Sequence, residues 1–175
     1  MAFFILALIA KAGLTSLYAF QQRAGLQPGG IRIALQRLES LKLITRAESS
    51  TRNRRAMALT PEGMEFLNRS WERCLDQFTD SEGVLRAACV ALLMGAPELA
   101  AQYLEKLANF HEGMANERNF EMEKLEKTRR KEPLSTYAWM RALTEYRRRS
   151  AESKAFSELG HLLEGNHKLN AEQQP

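Results

Sequence analysis

Apolar residues recur every three or four positions through most of this chain, and the pattern is interrupted at glycines and prolines. Such spacing marks helices. The opening run from Ala2 to Lys11 is apolar on every side, which predicts a buried helix wrapped by other elements. Gly13 suits the left-handed conformation favoured just past a helix end. Thr15 or Ser16 can then offer a side-chain oxygen to the free amides of a second helix, "LYAFQQRA", which stops at Gly25. After Gly25 to Gln27, Pro28 fits the first position of a third helix, where no amide hydrogen is needed.

That third helix lies in "LQPGGIRIALQRLESLKLI", Leu26 to Ile44, and its two sides differ in kind. Ile31, Ala34, Leu35, Leu38 and Leu41 share the side a small domain buries. Gly29, Ile33, Gln36 and Ser40 share the other, flanked by Arg32 and Arg37. An ordinary solvated face carries Glu and Lys. This one has neither and presents an isoleucine, so it is expected to meet a partner.

Next come "LITRAE" and "RAMALT", short and mixed enough to be strands, joined by the polar "SSTRNR". Thr60 as cap and Pro61 as first residue start a fourth helix with the stripe Met64, Leu67, Trp71, Cys74, Leu75 and Phe78. The second half is helical throughout. Leu85, Ala88, Cys89 and Leu92 mark a helix ending near Gly95. Pro97 opens a long helix through Leu99, Tyr103, Leu107, Phe110 and Met114 toward Lys131, where Pro133 breaks it. Ser135 or Thr136 caps the last, through Trp139, Met140, Leu143, Phe156, Leu159 and Leu162 to Gly165. At roughly 30 residues and about 45 Å each, the two long helices are expected to form a dimerisation arm.

Composition narrows the function. Hydrophobic residues make up 45% of the 175, and charged residues 26%, as in ordinary globular proteins. The nine apolar residues before Lys11 are too few to span a membrane and lack the basic flank of a secretory signal, so a cytoplasmic protein is expected. Cys74 and Cys89 have no metal-ligand spacing, and His111, His161 and His167 form no cluster with them. No Gly-rich phosphate loop and no nucleophile-base set stands out, so neither catalysis nor a cofactor is expected.

The net charge of +4 conceals a division along the chain. The first 60 residues hold nine Lys and Arg against two acids, a balance of +7, and the remainder sixteen against nineteen, a balance of −3. A basic segment joined to a near-neutral one is the footprint of a phosphate-binding module with a separate partner domain. Two short helices, an amphipathic third and a basic hairpin follow the order of a winged helix-turn-helix, which sets one helix in the major groove of double-stranded DNA. Gln36 then offers a bidentate amide to adenine, Ile33 packs on a thymine methyl, and Arg32 and Arg37 reach phosphates or guanine. Gly29 and Gly30 keep the helix N-terminus open to a phosphate. Arg52, Asn53, Arg54 and Arg55 are expected at phosphates or the minor groove. The clusters Arg129 to Lys131 and Arg147 to Arg149 sit among glutamates and read as solvated faces or interhelix ion pairs. The two cysteines read as small hydrophobes. Trp71 and Trp139 are candidates for a small-molecule effector pocket, although aromatics in such stripes more often serve as core.

"LYAF", "LQPGGIRIALQRLESLKLI" and "RNRRAMALTPEG" resemble the N-terminal domain of PadR-like transcriptional regulators. Matching positions are Tyr18, Pro28, Gly29, Ala34, Leu35, Arg37, Leu38, Glu39, Leu59, Thr60 and Gly63, and the likeness covers about residues 3 to 80. The helical remainder resembles the longer, virulence-activator-like branch in length and layout. The resemblance implies a homodimeric winged-helix DNA binder whose C-terminal helices form the dimer. Arg32 and Ile33 stand where the family has tyrosine and proline, Ala56 and Met57 replace its wing tyrosines, and Leu17 replaces a glycine, which implies a different operator. The expected fold is therefore mainly α, with a winged helix-turn-helix over 1–80, a helical dimerisation domain over 81–165 and a flexible tail over 166–175. A winged-helix adaptor that binds a protein through the same face is the alternative.

Overall fold

In the computed structural model, which describes residues 1–47, 56–75, 80–127 and 133–171, the first helix, α1 (Ala2–Ala12), buries Phe4, Ile5, Leu6, Ala7, Leu8 and Ile9 in succession. A helix is buried all round only if elements surround it. Here α3 (Pro28–Ser40), β2 (Ala56–Leu59), α4 (Pro61–Leu75) and α5 (Ser81–Leu93) all pack on it. It ends at Gly13 with φ 63°, as the sequence predicts. Ser16, not Thr15, caps α2 (Leu17–Ala24), its Oγ accepting from the Ala19 amide at 3.1 Å, and Gly25 closes that helix with φ 62°.

The chain turns after α3 without a glycine. Lys42 takes φ 57°, the Leu43 amide donates to the Leu38 carbonyl at 2.9 Å, and the Lys42 amide donates to the Glu39 carbonyl at 2.9 Å. This is a Schellman closure. It places Leu41 outside the helix, 56% exposed, so Leu41 is not in the core face expected of it. The chain then enters β1 (Ile44–Ala47), which pairs antiparallel with β2 in the register Ile44 to Leu59, Thr45 to Ala58, Arg46 to Met57 and Ala47 to Ala56. Past the sheet, Thr60 ties three elements together. Its hydroxyl accepts from the Gly63 amide at 3.0 Å, capping α4, and donates to the Lys42 carbonyl at 2.7 Å, while its own amide donates to the Leu43 carbonyl at 3.1 Å. Gly63 sits so close to that strand that a Cβ there would overlap the Leu43 carbonyl oxygen.

The chain divides into two compact units, Met1–Ala96 and Pro97–Pro175. The boundary falls after α5 rather than after residue 80, because α5 packs against α1 and α4. It does so through Gly83, Ala87, Ala88, Val90 and Ala91, and the expected stripe residues Leu85 and Leu92 are each 43% exposed. On α4, Leu67 and Leu75 are buried as expected, whereas Met64 is exposed and Phe78 lies outside the described residues. Cys74 and Cys89 are half-buried, and burial pushes both thiols up, which disfavours the reactive thiolate.

The second unit is a pair of long helices, α6 (Pro97–Glu126) and α7 (Pro133–Ala171), packed along each other. Pro133 itself is the first residue of α7, and the helix runs through Gly165 to Ala171, past the expected end. Its outward side holds Met140, Leu159 and Leu162, expected in the core, and Phe110 of α6 is exposed as well. The buried positions are instead Ala142 and Gly160 of α7, with Ala100, Ala101, Leu104, Leu107, Ala108, His111 and Ala115 among those of α6. The His111 Nδ1 lies 2.9 Å from Glu152 Oε2 and 3.1 Å from Arg149 Nη1, between the rings of Phe110 and Phe156. Arg148 pairs with Glu145 at 2.7 Å, so the 147–149 cluster is committed in part to ion pairs. Among the described residues no single helix is long and apolar enough to cross a membrane.

Candidate nucleic-acid interface

The apolar spacing of α3 decides which of its sides is free. Ile31, Ala34, Leu35 and Leu38 are buried, and α1 packs on this helix. Gly29, Arg32, Ile33, Gln36, Arg37 and Ser40 are accordingly all exposed together on the outer side, and Gly30 is half-buried. Ile33 is 70% exposed, a large β-branched side chain held in water by the fold. Arg32 and Arg37 form no ion pair among the described residues, leaving both guanidiniums available for an outside anion. Ser40 is less free, since its hydroxyl donates to the Arg37 carbonyl of its own helix at 2.8 Å and retains only acceptor capacity.

The start of α3 is uncapped by any side chain. Pro28 has no amide hydrogen, and the Ile31 amide already donates to the Gln27 carbonyl at 3.1 Å, which leaves the amides of Gly29 and Gly30 without helical acceptors. A Cβ at Gly29 would meet open space, so nothing inside the protein demands glycine there. A bare backbone at a helix N-terminus suits the close approach of an anion from outside.

The strands add residues that periodicity did not single out. Arg46 on β1 meets Glu39 of α3 with both guanidinium edges, Nε on Oε1 and Nη2 on Oε2 at 3.0 Å, which fastens the sheet to the helix and neutralises the one acid on that side of α3. A bidentate fork of this kind fixes orientation as well as distance. The Met57 amide of β2 also donates to the Thr15 carbonyl at 2.9 Å, anchoring the sheet to the turn before α2. Leu17, Arg32, Leu35, Gln36, Arg46 and Met57 thereby enclose a concavity of about 340 Å³ with an apolar floor and a basic, amide-bearing rim. Strand alternation alone would have placed Arg46 beside its partner Met57. Its approach to Glu39, seven residues earlier, follows from the tight turn at Lys42.

Of the expected site, the structure therefore brings together Gly29, Gly30, Arg32, Ile33, Gln36, Arg37 and Ser40 on one helix, beside Arg46 of the sheet. Arg52, Asn53, Arg54 and Arg55 lie outside the described residues. No protein-family profile matches the chain, and no curated protein is detectably similar to it.

Proposed function

We propose that this protein is a homodimeric, sequence-specific DNA-binding transcriptional regulator of the PadR-like type. In this reading α2 and α3 form the helix-turn-helix, β1 and β2 the wing, and α3 lies in the major groove. The observation that carries it is the outer face of α3, where an exposed isoleucine and Gln36 stand between two unpaired arginines. Ile33 meets thymine methyls, Gln36 forms paired hydrogen bonds to adenine, and Arg32 and Arg37 hold the backbone or a guanine. Phe110, Phe120, Leu134, Met140, Leu159 and Leu162 are exposed in the second unit, and burial of that apolar surface against a second copy supports dimerisation through the C-terminal helices. Two copies of α3 would then occupy successive grooves about 34 Å apart.

Exposed Ile33 also suits a protein surface, and the adaptor reading rests on it. The two readings part on charge, because only nucleic acid rewards the balance of +7 in the first 60 residues. Selection of bound fragments from random and genomic DNA tests the choice. Enrichment of an inverted repeat, with affinity falling steeply as salt rises, is the expected result. No enrichment at moderate salt would favour the adaptor, and sedimentation of the full chain as a monomer at micromolar concentration would remove the dimer.

A further inference from the structure

Within the second unit, α6 and α7 enclose a groove of about 540 Å³, lined by Met114, Arg118, Tyr137, Arg141, Ala142 and Arg149 among others. Its charges are unevenly matched. Glu121, on the α6 wall, is taken by Arg118, whose Nη1 lies 2.5 Å from Oε2. Glu145, on the α7 wall, accepts from Arg148 at 2.7 Å. Arg141 is exposed and pairs with no carboxylate among the described residues. Arg149 gives Nη1 to Glu152 at 3.1 Å and meets His111 with the same nitrogen, while its Nε is buried with no acceptor among the described residues. An orphaned guanidinium donor out of water is costly, and a carboxylate is the group that satisfies the Nε edge of arginine in bidentate fashion.

Arg141 and Arg149 lie eight residues apart on α7, about 12 Å along the axis. Ala142 and Met114 supply apolar wall to the groove, and Glu145 falls in sequence between the two arginines. A compact anion in the middle of the groove would meet Glu145. A ligand with its charges at two ends and methylenes between them would not. Three methylenes separate two carboxyl carbons by about 5 Å with ordinary carbon–carbon bonds, and a charge-assisted hydrogen bond at each end adds roughly 2.8 Å. That length is suited to bridging two arginines. We propose that the groove binds a small α,ω-dicarboxylate, one carboxylate on Arg141 and the other on the Nε edge of Arg149.

The site is independent of the DNA-binding reading, and so is its test. Full-length protein is titrated with glutarate by calorimetry at fixed ionic strength, alongside acetate, inorganic phosphate and the neutral diamide glutaramide. Saturable binding of glutarate, absent with glutaramide and weaker with acetate and phosphate, is expected. Arg141→Gln should weaken it about tenfold, the equivalent of one charge-assisted hydrogen bond. Arg149→Lys, which keeps the charge and removes the fork, should do the same, and Arg32→Gln in the other unit should change nothing. Arg141 is exposed, so its variant carries the test even if Arg149→Lys disturbs the helix pair. Absence of saturable binding, equal affinity for acetate or phosphate, or loss of binding in Arg32→Gln but not in Arg141→Gln would each overturn the proposal.

Discussion

Gly63 in the first unit and Gly160 in the second are both helical glycines facing a backbone carbonyl, and they are not equivalent. At Gly63 a Cβ would overlap the Leu43 oxygen and lie 2.9 Å from its carbonyl carbon. At Gly160 it would stand 3.7 Å from the Ala101 oxygen and 3.8 Å from the Leu104 Cβ, ordinary van der Waals contact. The first unit locks backbone against backbone around Thr60, with hydrogen bonds that fix the approach. The second lets two helices settle along a seam that includes alanines, where small changes in separation cost little. A glycine at a helical interface is therefore indispensable only where hydrogen bonds forbid retreat.

Gly63→Ala should show the largest effect. The clash is with backbone, so α4 must withdraw from the strand and strain the Thr60 contacts, at a cost on the order of 3 kcal/mol. A denaturation midpoint unchanged from the wild type would mean that the approach is not enforced. The interface in the same unit gives the next effect. Under the DNA reading, Gln36→Ala should cost about 1 to 3 kcal/mol against the specific duplex and hardly alter binding to unrelated DNA. Equal weakening of both duplexes in a salt titration would show that this side chain reads no base.

The matching change in the second unit, Gly160→Ala, should be neutral or stabilising, by up to about 1 kcal/mol from helix propensity. Marked destabilisation of α7 would erase the contrast with Gly63. The smallest effect concerns pH. Burial holds the His111 imidazole below its ordinary value, outweighing the opposing pull of Glu152 and reinforced by Arg149 and Arg148. The unfolded chain then binds more protons than the folded one below about pH 6.5, the usual histidine value. Stability of the α6–α7 unit should therefore be full above that pH and decline as the pH falls through it. Amide exchange in α6 and α7 at pH 7.5 and 5.5 measures this, and His111→Gln should flatten the difference. An unaltered difference would assign the pH dependence to other groups.

The order and bounds of the elements were legible in the sequence because their signals are local. Gly13 and Gly25 end helices, Pro28, Pro61 and Pro97 begin them, and a cap needs only a side-chain oxygen close to a free amide. The outer face of α3 was legible too, since Ile31, Ala34, Leu35 and Leu38 leave no choice of buried side. Local signals failed where two surfaces compete. On α5 and α7 both the large and the small apolar residues recur at helical spacing, and periodicity favours the large ones. Packing favours the small ones, because closely approaching helices leave room for Ala142 and Gly160 but not for Met140 or Leu162.

The amino-acid sequence determined by itself where helices start and stop, the isolation of basic charge in the first 60 residues, and the composition of the α3 face. These depend on neighbours along the chain or on counting. Only the tertiary structure decided that α5 belongs to the first unit, that Arg46 is held by Glu39, that Gly63 meets Leu43, and that His111, Arg149 and Glu152 converge. Each of these joins residues whose proximity follows from chain turns and packing between elements, and no periodicity within a single element encodes the distance between two.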